Sequence, residues 1–63
     1  MNRYVAKSAG KTEEWPLWYV SDTQQGGLNV TPSLLSILFE PTHAMLVSRL
    51  VAERLAQLFN RAA

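Results

Sequence analysis

Residues 44–61 contain no glycine or proline and are largely good helix formers. Set at about 100° per residue, Leu50, Val47, Leu58, Val51, Ala44, Leu55, Phe59, Ala52 and Met45 sweep out one continuous apolar arc. Arg49, Asn60, Glu53 and Gln57 fall opposite. Arg54 and Arg61 sit at an edge of the arc, where long stems can lie along apolar surface. Leu46 is the exception, an apolar residue on the polar side. The arc covers roughly 200°, about twice the stripe of a helix packed on one surface. Such a helix needs two apolar surfaces, one of which a second copy can provide. Pro41 forces a break before it and Thr42 can cap it, which predicts a helix over about 42–61.

The need for a second surface is sharpened by size. A chain of 63 residues holds one domain with one core. Domains this short are marginal alone and are usually stapled by disulfides, a metal or association. There is no cysteine, and His43 is the single histidine, so a disulfide or a Cys/His zinc site within one chain is excluded. Association is the remaining route. An apolar fraction of 48% with only 17% charged residues argues against disorder and leaves little polar surface to cover a small body.

The first half reads as strands, within residues 3–31. Residues 3–6 suit a short strand, with Tyr4 and Ala6 on one face and Val5 on the other. Residues 8–14 are polar with a glycine and read as a loop. The aromatic and β-branched residues 15–20 form the best strand candidate, with Pro16 at its start. Alternation sends Trp15, Leu17 and Tyr19 one way and Trp18 and Val20 the other, so both faces are apolar and both ask for cover. Gly26-Gly27 marks a turn, and residues 28–31 alternate apolar and polar, which predicts a hairpin. The apolar run within 32–39 is ambiguous between a short helix and a buried strand, because periodicity does not separate the two. Thr31 as a cap with Pro32 behind it tips the reading towards a short helix or turn leading into extended chain.

Chemistry-bearing patterns are sparse. His43 and Glu40 straddle Pro41 with no third ligand, so no metal site is expected. Ser48, His43 and Asp22 are the right residue types for a hydrolytic triad, but no serine lies in a nucleophile-elbow pattern. Gly10-Lys11-Thr12 matches the tail of a phosphate loop, yet Val5 stands where its first glycine belongs and Pro16 stops a following helix. Glu13-Glu14 are adjacent, so a strand would face them oppositely. Tyr4, Trp18 and Tyr19 with Arg3, Lys7 and Lys11 could stack bases, but a net charge of +1 is no electrostatic footprint for nucleic acid. No stretch approaches a membrane span and no signal-type apolar run opens the chain, so a cytoplasmic protein without membrane contact is expected.

The sequence therefore predicts an α+β fold: a small two- or three-stranded antiparallel sheet packed on a long C-terminal amphipathic helix. The expected function is a small non-enzymatic protein-interaction module without cofactor, a homodimer that binds or inhibits another protein. Proteins of this size encoded by phages and mobile elements often act so. The alternative is a small nucleic-acid-binding regulator. Val47, Leu50, Val51, Leu55, Leu58 and Phe59 are the candidate self-association residues, and Trp15, Trp18 and Tyr19 the candidate partner contacts.

Overall fold

The computed structural model describes residues 2–10 and 17–62. Trp15 and Pro16, the Glu13-Glu14 pair, and Lys11 and Thr12 of the loop motif lie outside the described residues. The fold is α+β. Strands β1 (Tyr4–Ser8), β2 (Trp18–Asp22) and β3 (Leu28–Asn29) form an antiparallel sheet in the order β1-β2-β3, followed by helices α1 (Thr31–Leu38) and α2 (Arg49–Ala62).

The β2–β3 hairpin is set by its turn chemistry. Asp22 accepts from the Gln24 backbone N–H at 3.0 Å and opens a short 3-10 turn over Thr23–Gln25. Gly26 and Gly27 then take φ of 70° and 85°, a region that residues with a Cβ rarely enter. The hairpin's third strand is cut short at Asn29, whose side chain has two other roles. Its carbonyl accepts from Thr31 N–H at 3.0 Å, and its amide donates to Met45 O at 2.8 Å.

The ambiguous run resolves as helix. Pro32 sits in the first turn of α1, where its missing N–H costs nothing. Thr31 is not the cap but the first helical residue, and its buried hydroxyl accepts from Val20 N–H at 2.8 Å. Leu34 enters the core, and the helix stops at Phe39, whose N–H still bonds Leu35 O at 2.8 Å, two residues before Pro41.

The C-terminal helix begins at Arg49 rather than near Thr42. The intervening chain is held out of the helix because backbone partners claim it. Val47 pairs antiparallel with Trp18 through two backbone hydrogen bonds of 2.8 and 2.9 Å, and Met45 O is held by Asn29. Ser48 is the effective start, its hydroxyl accepting from Val51 N–H at 3.3 Å. The shorter helix removes the anomaly of Leu46, and it takes Ala44, Met45 and Val47 out of the helical arc.

Ala52, Leu55 and Ala56 are buried against the sheet, where they meet Val20, Val30 and Leu34. Their spacing is that of one helix face. Tyr4, Ala6, Trp18, Leu35, Val47 and Phe59 pack around this core, with Tyr4 and Phe59 edge to face at 6.0 Å. Among the described residues, six buried apolar side chains make a small core. It is supplemented by a polar hub: Asp22, fully buried, accepts from Arg3 Nε at 3.0 Å, Arg3 Nη2 at 2.9 Å and Gln25 Nε2 at 2.6 Å. The Arg3 guanidinium holds the Asp22 carboxyl at about 2, well below its ordinary 3.8, with Gln25 and the Gln24 N–H aiding it against the opposing effect of burial.

Candidate functional site

The residues of the predicted interaction set separate into two groups. Leu55 is core, Val47 completes the sheet edge beside Trp18, and Phe59 meets Tyr4 edge to face. Leu50, Val51 and Leu58 are instead open, with Leu50 exposed at 77%. The division follows from the turn-by-turn geometry of α2. The face through Ala52, Leu55 and Ala56 meets the sheet, Val51 and Leu58 form its shoulder, and Leu50 lies beyond Arg54.

That shoulder faces the C-terminal end of α1. Leu38, Phe39, Leu50, Val51, Arg54 and Leu58, over a floor of Leu55, line a cleft of about 290 Å³ with no polar wall. Arg54 turns its guanidinium to Gln57 Oε1 at 3.0 Å and leaves its stem to the cleft. Phe39, the C-cap of α1, is 71% exposed. Leu38 and Phe39 are absent from the sequence-derived set. The signal available for them was the apolar run ending at Phe39, interrupted only by Ser36 and longer than a helix with one buried turn can use.

The partner-contact candidates are placed differently. Trp18 is half-buried and packs on the core, with the Arg49 guanidinium 5.1 Å from its ring centroid. Its register partner on β1 is Ser8. Tyr19 is half-buried on the opposite face of the sheet, across from Lys7. Trp15 lies outside the described residues.

Residues that could have carried chemistry have structural roles. The Asp22 carboxylate is engaged by Arg3, Gln24 and Gln25, and the Ser48 hydroxyl caps α2. His43 is exposed on the irregular segment before Val47. Among the described residues no three histidine or acidic side chains gather where they could hold a metal ion. Of the cations considered for base stacking, Arg3 is tied to Asp22 and stands 5.0 Å from the Tyr4 ring. No helix of the described residues is long and apolar enough to cross a membrane. No family model, curated protein or solved structure matches the chain.

A second feature lies on the other side of α2. Asn60 clamps the outer edge of β1 at Tyr4: its carbonyl accepts from Tyr4 N–H at 2.8 Å and its amide donates to Tyr4 O at 2.9 Å. The side chain thus occupies the place of a residue on a fourth strand. Nothing in the sequence marks Asn60 for this role, because it joins positions 56 residues apart.

Proposed function

We propose that this chain is a small non-enzymatic protein-interaction module that forms a homodimer in the cytoplasm and binds or inhibits another protein. The observation that carries the reading is the apolar cleft between α1 and α2. Leu38, Phe39, Leu50, Val51 and Leu58 are all more than a third exposed and adjoin one another around it. Together they leave on the order of 500 Å² of apolar surface in one patch, the upper range for a monomer. A symmetric pair covering that patch on both copies removes roughly 1,000 Å² from water, enough for a small specific interface. The small core and the absence of disulfides give association a stabilising role as well.

Light scattering after size exclusion tests the reading. A mass of twice 7.1 kDa at low micromolar concentration is expected. A monomer with full thermal stability at that concentration contradicts it.

A further inference from the structure

The hydrogen bonds of β2 fix which backbone groups of β1 are open. Trp18 exchanges both its backbone bonds with Val47, and Val20 O accepts from Val30 N–H, so the polar groups of Trp18 and Val20 point away from β1. Their register partners Ser8 and Ala6 are therefore the non-hydrogen-bonded pairs of the β1–β2 ladder. The N–H and C=O of Ala6 and Ser8 point outward, along an edge that no other described strand occupies. This open edge is bounded at both ends. Asn60 fills the Tyr4 position, and the Ser8 hydroxyl brackets Gly10, donating to its carbonyl at 2.9 Å and accepting from its N–H at 3.3 Å.

We propose that the Ala6–Ser8 edge of β1 takes up an extended segment of another protein by strand addition, with a carboxylate of that segment opposite Lys7. The proposal rests on the reading of the chain as an interaction module but not on the dimer. A groove of about 510 Å³ between β1 and α2 runs beside this edge, its floor made by Ala6 and Ala56 and its rim by Glu53, Gln57 and Asn60. The side chain of an added residue opposite Ala6 shares the Ala6 face and drops into that groove. The side chain opposite Lys7 falls on the other face, beside the exposed ammonium.

The same geometry selects a foreign strand over a second copy. An antiparallel pairing of two β1 edges that uses both open residues sets Ala6 against Ser8 of the other copy. It then places Lys7 directly opposite Lys7, a repulsive pair of the kind that guards sheet edges. An acidic strand converts that repulsion to attraction.

The test uses two blocked peptides, acetyl-Thr-Val-Glu-Val-Thr-amide and its counterpart with lysine replacing glutamate, titrated into the ¹⁵N-labelled full chain. The glutamate peptide should shift the Ala6 and Ser8 amides and slow their hydrogen exchange. It should bind about two- to fivefold tighter than the lysine peptide, and Lys7→Glu should reverse the order. Lys7 is exposed, so this variant keeps the fold. No perturbation up to millimolar peptide, equal binding of the two peptides, or shifts confined to Leu50 and Leu58 overturns the proposal. A chain that ignores both peptides yet has dimer mass refutes strand addition while leaving the interaction reading in place.

Discussion

Replacing Asn60 by alanine removes the two hydrogen bonds that join the last turns of α2 to the first strand. Both are short, 2.8 and 2.9 Å, and both end on the backbone of half-buried Tyr4. A net worth of about 0.5–1.5 kcal/mol applies to each, and water reaches the freed Tyr4 groups only in part, so the variant should lose about 1–2 kcal/mol. Spread over a domain of this size, that lowers the unfolding midpoint by roughly 5–15 °C. Urea titration followed by circular dichroism measures the free energy, and amide exchange at Tyr4 reports the site. Asn60→Asp should also destabilise, because the carboxylate keeps an acceptor for Tyr4 N–H but faces Tyr4 O with a second acceptor. Unchanged stability in Asn60→Ala, with Tyr4 still slow to exchange, would refute the view that this amide substitutes for a strand.

Three further outcomes follow from the fold. Thr31→Val keeps the shape but leaves the buried Val20 N–H without its acceptor, which should cost about 1–3 kcal/mol in urea titration. Trp18→Ala should destabilise by about 2–4 kcal/mol, seen as an early thermal transition, because the ring packs on the core rather than standing free. Acid should weaken the fold through Asp22. Its folded-state pKa of about 2 lies below the ordinary 3.8, so the unfolded chain takes up the proton first. The stability contributed by this carboxylate is fully present above pH 3.8 and lost as pH falls through about 2. A pH series of urea midpoints over that window checks this, and Asp22→Asn should flatten it.

The class of fold was legible because it rests on local patterns. The glycine pair at 26–27, the alternation around Val20 and the helical period from Leu50 onward each act within a few residues. What was not legible depended on distant partners. Residues 44–48 have helical composition, but Trp18 and Asn29 claim the backbone of Val47 and Met45, and tertiary pairing overrides propensity there. Thr31 has the chemistry of a cap, yet its hydroxyl is used by Val20 across the sheet. The candidate site was half legible for the same reason. An apolar arc says that a helix is covered, not which residue meets which surface. Leu55 and Phe59 meet the chain's own core and strand, whereas Leu50, Val51 and Leu58 remain open beside Leu38 and Phe39, two residues that the helical period of α2 could never include.

The most direct test of the α1/α2 face as the dimer contact is an isotope-filtered NOE experiment on a mixture of labelled and unlabelled chain. The expected result is a set of intermolecular contacts to the methyl groups of Leu38, Leu50, Val51 and Leu58 and to the ring of Phe39, all abolished by Leu50→Glu. Intermolecular contacts confined to another surface, or none from a chain of monomer mass, would contradict it.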